Sequence, residues 1–456
     1  MYGGRIAEYG NREQIFKNMT HPYTKLLFSS IPKLEKQNFL LDTIPGVVPS
    51  ATDYNEGCRF LDRCPAQMEI CKDESISHVL TKGHQVTCHL LDKGINSKWD
   101  LNSQKKTIPQ NQPSPLPLIS VKNLETHFPV KKGVFLRTVN HIRAVDNVNM
   151  EIPKGSTLAI VGESGCGKST TARLLIGLIE PDQGEVIFNG QEVGAPDGIS
   201  LRDMRRNTQI VFQDSYSSLN PRLPIEETIA FGPIVHGVPR DKARERARDI
   251  LAKVGLEPNL FIRRYPHMLS GGQRQRINIA RALALEPSVV LLDEPVSAID
   301  KSVEAQVLNL LNDLKTQLQL TYVFISHDLN VVQYLSDRVL VMYLGKIIEL
   351  GPVDRIYNTP QHPYSKALLS AMPSMDPDQR ISEVPLSGDP PNPINPPPGC
   401  RFHTRCVHAE AICMQKEPPL REFKSGTGHF SACHMTTENS GYSDMTVRQE
   451  LEKGGP

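Results

Sequence analysis

The stretch "LAIVGESGCGKSTTARLLIGLI", Leu158 to Ile179, decides how the rest of the chain is read. An apolar run, Thr157 to Val161, leads into Gly162-x4-Gly167-Lys168-Ser169, and a helical pattern follows. A strand, a glycine-rich loop and a helix in that order are what a phosphate-binding loop requires. Glycines let backbone N–H groups curl round an anion, and the helix N-terminus adds a favourable dipole. The spacing assigns the cradle to Gly162, Glu163, Ser164, Gly165, Cys166, Gly167, Lys168, Ser169 and Thr170. Lys168 is expected to reach the outer phosphates and the Ser169 hydroxyl to bind Mg²⁺. Cys166 reads as a small filler whose backbone does the binding, rather than as a redox switch.

Further along, "SVVLLDEP" sets an apolar run before Asp293 and Glu294. The run reads as a buried parallel strand ending in two carboxylates. Asp293 is expected in the Mg²⁺ shell, and Glu294 as the general base that polarises an attacking water. Together the two motifs specify a nucleotide hydrolase.

Composition sets outer limits. With 456 residues there is room for two or three domains, and 39% apolar with 22% charged residues fits a globular chain with a real core. Fifty-one basic side chains against 50 acidic ones argue against a dedicated nucleic-acid binder. No apolar run reaches the roughly 18 residues of a membrane-spanning helix. Nothing resembles a signal peptide, so a cytosolic location is the default expectation.

"LSGGQRQR", Leu269 to Arg276, narrows the class. It resembles the signature of the ATP-binding cassette superfamily. The resemblance implies that Leu269, Ser270, Gly271, Gly272 and Gln273 act on a nucleotide held by an opposite subunit. "VFQD", "SAID" and "VFISHD" add the family's other motifs. They make Gln213 the Q-loop glutamine that meets Mg²⁺, Asp300 the D-loop aspartate, and His327 the switch histidine at the γ-phosphate. An aromatic residue stacks on adenine in this family; Phe128 is the choice here and Phe135 its rival. Ser215 stands where the family often has Pro, which alters loop stiffness and not the chemistry. The implied fold is α/β: a P-loop NTPase with a RecA-like core, a helical subdomain and an antiparallel β subdomain, plus a cysteine-bearing C-terminal extension.

The chain also repeats itself. "MYGGRIAEYG" (Met1 to Gly10) returns as "MYLGKIIELG" (Met342 to Gly351), and "HPYTKLLFSSIP" (from His21) as "HPYSKALLSAMP" (from His362). "GCRFLDRCPAQMEIC" (from Gly57) returns as "GCRFHTRCVHAEAIC" (from Gly399). The spacing is that of a whole domain, not of a solenoid. "RVLVMYLGKIIELG" reads as a hairpin turning at Leu344-Gly345, and the N-terminal copy starts midway through it. Its strand is therefore expected to lack a partner, which makes residues 1–95 a poor independent domain. The expected organisation is 1–95, the truncated tail of a first cassette; 96–117, a polar linker; 118–351, the ATP-binding domain; 352–435, a C-terminal region; and 436–456, a disordered tail.

That C-terminal region, with "DPPNPINPPPGC" and spaced cysteines, resembles the tail of dipeptide and oligopeptide importer ATPases. The likeness covers residues 118–435, and residues 1–91 resemble the tail of the sister ATPase. DNA-repair members of the superfamily carry long coiled coils or zinc modules, and translation-factor members carry charged linkers; neither is visible here. The resemblance implies ATP and Mg²⁺ as ligands. It implies a second ATPase subunit, two permease subunits and an external solute-binding protein as partners, no nucleic acid, and a peripheral place on the cytoplasmic face of the membrane.

Eight cysteines form two quartets, Cys58, Cys64, Cys71 and Cys88, then Cys400, Cys406, Cys413 and Cys433. The short knuckles of zinc ribbons are missing. A 4Fe–4S cluster in each quartet is the preferred reading, with Zn²⁺ or free or disulfide-bonded thiols as alternatives.

Overall fold

The computed structural model describes residues 1–32, 39–46, 48–49, 54, 56–73, 77–92, 114, 116–132, 137–297, 299–373 and 388–443. Most of the expected linker, Phe135 and the last thirteen positions lie outside the described residues. The chain divides into two compact units: Met1–Pro109 with Ile299–Leu311 and Pro373–Arg380, and Gln110–Ala298 with Asn312–Met372 and Ile381–Pro456.

In the first unit, β1 (Glu8–Tyr9), β2 (Ser77–Thr81) and β3 (His84–Thr87) form an antiparallel sheet in the order β1-β3-β2. The half-hairpin expected to stand alone thus has a partner: Glu8 pairs with Val86 and Tyr9 with Gln85. Tyr2, Tyr23 and Phe60 pack ring to ring, with centroids 5.0 to 5.4 Å apart, beside the buried Leu26 and Ile44. Aromatic packing of this kind gives a small, loop-rich unit much of its core. Glu8 is the polar anchor. Its carboxylate accepts from the backbone N–H of Thr20 (2.9 Å) and His21 (3.1 Å) and faces His84 Nε2 at 2.9 Å.

The second unit begins with an antiparallel hairpin, β4 (Pro117–Lys132) and β5 (Arg137–Pro153). The parallel core uses β6 (Thr157–Val161), then β9 (Thr208–Val211), β10 (Val289–Asp293) and β11 (Thr321–Ile325). Between β6 and β9, β7 (Gln183–Phe188) and β8 (Gln191–Glu192) complete a four-stranded sheet, β5-β4-β7-β8. β12 (Arg338–Tyr343) and β13 (Lys346–Pro352) form the expected hairpin, with Leu344 and Gly345 both at positive φ in the turn. That pairing of conformations is the turn whose twist suits a hairpin. β6 and β11 are buried along their whole length, which is why they read as unbroken apolar runs. Four helical segments, Ile225–Val235, Arg240–Lys253, Pro258–Phe261 and Gly271–Leu283, lie between β9 and β10 and supply the expected helical subdomain.

The large sheet continues past residue 352. β14 (Arg421–Glu422) and β15 (Phe430–Ser431) join the large sheet, whose order is β14-β15-β13-β12-β6-β11-β10-β9. β13 would otherwise be an edge, and Glu349 and Leu350 pair with Ser431 and Phe430. The C-terminal region therefore finishes the cassette's own sheet. Part of the polar tail, read as disordered, is packed: the Thr437 hydroxyl donates to Cys433 O (2.8 Å), and the Tyr442 hydroxyl to His408 O (3.0 Å). Among the described residues no helix is long and apolar enough to cross a membrane.

Candidate nucleotide site

Strand order gathers the motifs. β6, β11, β10 and β9 are adjacent and parallel, so the segments following them emerge along one edge of the sheet. Those segments carry the phosphate loop, His327, Glu294 and Gln213, respectively. Ligands of open α/β sheets bind outside the carboxyl ends of the strands.

The loop has no room for side chains at its ends. Gly162 (φ +144°) has Met342 O only 2.3 Å from where a Cβ would stand, and Gly167 (φ +110°) meets Ala144 O at the same distance. Gly167 then starts the helix Lys168–Leu175 with no side-chain cap, which leaves that N-terminus available to an anion. Lys168 Nζ donates to Gly162 O (2.8 Å) and Glu163 O (3.0 Å), so its charge sits over the loop. Cys166 is buried, as expected of a filler, and its carbonyl accepts from Gly345 N at 2.8 Å.

Gln213 and His327 converge on Glu294. Gln213 Nε2 donates to Glu294 Oε2 at 2.8 Å, and His327 Nδ1 lies 3.2 Å from the same oxygen. Glu294 takes φ +47°, a conformation costly for a side chain with a Cβ and typical of functional sites. Its neighbour Asp293 is half-buried. Burial pushes the Asp293 carboxyl up; Arg173 and Lys168 pull it down, and Glu294 adds to the rise. Sequence motifs scattered over much of the chain thus meet in one place.

The signature lies at another helix N-terminus. Ser270 caps the helix Gly271–Leu283 through a reciprocal pair with Gln273: Ser270 N donates to Gln273 Oε1 (3.0 Å) and Gln273 N to Ser270 Oγ (3.4 Å). Ser270 is exposed, Gly272 and Leu269 are buried, and Gly271 is between. Asp300 is exposed, and its carbonyl accepts from Val303 and Glu304 at the start of the helix Lys301–Leu318. Phe128 is 39% exposed in β4, opposite Ile142 of β5.

Several residues that line the phosphate loop were not singled out from the sequence as functional. Glu163 N donates to the Tyr364 hydroxyl (2.8 Å), and the Glu163 carboxylate holds Arg405 through both oxygens. Arg401 donates to Leu344 O and to Asp146. The only signal for these residues was their membership of the repeat, which the sequence presents as tail and not as site.

Among the described residues one close trio of oxygen and nitrogen ligands occurs, Glu125, His127 and Asp146. Burial pushes the Asp146 carboxyl up, but Arg401 and Lys346 outweigh it and hold the group below its ordinary value. With Arg401, Lys346 and Arg143 already on it, Asp146 is poorly placed to take a metal ion as well. The cysteine quartets are more widely spaced. Cys58, Cys64, Cys71 and Cys88 line one small cavity with His21, Phe60 and His89. Cys400, Cys406 and Cys413 lie close enough to Cys433 to add to the effect of burial in pushing that thiol up. Both quartets share their backbone bonds: Cys58 N to Cys71 O (2.9 Å), and Cys400 N to Cys413 O (2.8 Å).

Comparison with known proteins identifies a family. The ABC transporter profile matches residues 145–297, and the profile of the oligopeptide/dipeptide transporter C-terminal region matches twice, at 7–71 and 348–413. The dipeptide transport ATP-binding protein DppF of Escherichia coli is 46% identical over 73% of this chain and 97% of its own length. The oligopeptide transport ATP-binding protein AppF of Bacillus subtilis is 46% identical over 70% of this chain and 97% of its own. Among solved structures, cbiO1 from Clostridium perfringens, part of the ABC transporter complex cbiONQ, is 28% identical with a TM-score of 0.46, over 53% of this chain and 90% of that one. The chain belongs to the ABC transporter family, among the dipeptide and oligopeptide transport ATP-binding proteins.

Proposed function

We propose that this chain is the ATP-binding and ATP-hydrolysing subunit that powers import of dipeptides, oligopeptides or a related small solute through a membrane permease. The observation that carries the reading is the convergence of Gln213 and His327 on Glu294, at the sheet edge that also bears the phosphate loop.

Each side chain has a task. The loop amides and Lys168 hold the phosphates. Glu294 takes the proton from the attacking water, oriented by Gln213, while His327 offers a donor to the γ-phosphate. Ser169, Gln213 and Asp293 supply a hydroxyl, an amide oxygen and a carboxylate, the hard oxygen set that Mg²⁺ prefers. Gln213 spends its amide nitrogen on Glu294, which leaves its oxygen for the cation. Bound Mg²⁺ neutralises charge on the transferring phosphate. Phe128 stacks on the adenine.

The signature Leu269 to Gln273 and Asp300 serve the nucleotide of a second cassette, so the working unit contains two ATPase subunits. Two permease subunits and an external solute-binding protein complete the importer, and the chain works at the cytoplasmic face of the membrane. Exposed Phe231, Val235, Leu260, Tyr265 and Met268 on the helical subdomain support a protein partner there.

The quartets hold metal in this reading. In the first quartet four thiols line one small apolar cavity, the soft donor set that an iron–sulfur cluster takes. Among the described residues no three cysteine sulfurs lie within 4.8 Å of one another, whereas a single tetrahedral zinc needs them about 3.8 Å apart. Iron and zinc analysis of anaerobically purified protein decides; fewer than about two iron atoms per quartet would rule out the 4Fe–4S assignment.

Glu294→Gln tests the ATPase. ATP should still bind while hydrolysis falls by at least about a hundredfold, trapping a nucleotide-bound dimer; hydrolysis at the parent rate would remove Glu294 as the base. Co-purification with a peptide permease is the expected partner result. Stimulation of hydrolysis by DNA or ribosomes instead would point to a soluble regulatory ATPase.

A further inference from the structure

The phosphate loop is gripped from the cysteine-bearing tail. Glu163, the second residue of the loop, donates its N–H to the Tyr364 hydroxyl at 2.8 Å. Its carboxylate receives both arms of Arg405, at 2.8 and 3.1 Å. Arg405 is nearly buried, with 6% of its side chain exposed against 25% for Glu163, so this pair is not the weak surface kind. Tyr343, Tyr364 and Phe402 pack against one another with centroids 4.8 to 5.4 Å apart and fix the tyrosine hydroxyls in place. The Tyr343 hydroxyl accepts from Arg405 at 3.4 Å. On the other flank Arg401 holds the turn at Leu344, and Gly345 of that turn bonds Cys166 of the loop.

Glu163 brings a difficulty as well as an anchor. A carboxylate beside a site for polyanionic phosphates repels its own ligand unless a cation neutralises it. The first unit provides a comparison. Arg63 stands at the position of Arg405, and it too donates to a tyrosine hydroxyl, that of Tyr2, at 3.3 Å. Its other bond, however, goes to Pro45 O at 2.8 Å and not to an acid. The arginine is thus part of the tail's own construction, and the second unit uses its spare arm on the phosphate loop.

We propose that Arg405 and Tyr364 are positioning residues for nucleotide binding: Arg405 cancels the Glu163 charge and, with Tyr364, fixes the near end of the phosphate loop. The proposal rests on the nucleotide reading above and extends it to the tail.

The test measures equilibrium binding of a fluorescent N-methylanthraniloyl ATP to the full chain with Mg²⁺. Arg405→Ala should weaken binding about tenfold at low salt, with the loss shrinking as salt screens the bare carboxylate. Adding Glu163→Gln to Arg405→Ala should restore most of the affinity, because the offending charge is gone. Tyr364→Phe should weaken binding about threefold, salt-independently, by freeing one loop amide. Glu163→Gln alone leaves the Arg405 cation unopposed beside the phosphates and should tighten binding about threefold at low salt; an unchanged or weaker affinity would count against the charge argument, and this variant carries the test if Arg405→Ala fails to fold. A parent chain that binds no nucleotide would overturn the nucleotide reading itself. Parent binding with an unaffected Arg405→Ala would overturn only the positioning role. Weakened binding in Glu163→Gln, or no recovery in the double variant, would reduce the pair to a structural staple.

Discussion

The two tails are the same structure built twice, once beside a phosphate loop and once without one. Several of the bonds that hold each tail together recur in both copies. Glu8 receives two backbone N–H groups and faces His84; Glu349 receives those of Gln361 (2.7 Å) and His362 (3.0 Å) and faces His429 at 2.7 Å. His21 and His362 each cap the following helix through Nδ1, at 3.0 Å from Tyr23 N and Tyr364 N. They differ where the second copy touches the loop: the acid partner of Arg405 has no counterpart at Arg63. The shared part is therefore a folding scaffold, and the unshared part is where function is attached.

Lys168→Ala breaks the comparison hardest. Among the described residues the phosphate loop lies in the second unit alone, and no other lysine stands at its centre. Nucleotide binding by the full chain should drop by about a hundredfold or more, read by the same titration.

Next comes the buried carboxylate. Glu349 is fully buried, and Glu349→Ala should destabilise the second unit by about 3 kcal/mol, since it leaves backbone donors and His429 without their acceptor. Glu8→Ala should lower the unfolding transition of the first unit and leave that of the second in place. Calorimetry resolves the two; a shift of both transitions by either variant would deny that the scaffolds are separate.

Acid sharpens the likeness. Burial lowers the pKa of His362 from 6.5 to about 4, Glu349 opposing, and that of His21 to about 4, Glu8 opposing. Each folded histidine resists a proton that the unfolded chain accepts. The resulting stability is complete above pH 6.5 and is lost as pH falls from 6.5 towards 4, at up to about 1.4 kcal/mol per pH unit for each residue. His362→Asn keeps a helix-capping side chain and removes the titration. Its second-unit melting temperature should fall less than the parent's across that window.

The smallest effect is the most discriminating. Arg63→Ala should disturb the first unit and change nucleotide affinity by less than about twofold, in contrast to Arg405→Ala.

Much of this was legible in the chain. "GESGCGKS" and "LLDEP" carry their chemistry in local spacing, so the loop and the strand ends bearing Glu294, Gln213 and His327 could be located, while the strand order that brings these three together could not. The Leu344-Gly345 turn was visible because a two-residue turn is a local property. What could not be read was the partner of a free edge. Neither Glu349 with Ser431 nor Glu8 with Val86 is announced by any periodicity, because strands of two residues carry none. The contacts of Glu163 with Tyr364 and Arg405 were hidden for another reason. They join residues that each belong to a different motif, and a motif reports only what is near it in the chain.

The pairing of β15 with β13 also bears on how the cassette behaves in a crowded solution. A strand with a free rim of N–H and C=O groups invites another molecule to add on. Phe430 and Ser431 occupy that rim in the second unit. A chain shortened to end before Arg421 would keep its phosphate loop and signature yet expose the rim. It should self-associate with rising concentration, so the tail guards the cassette against its own copies.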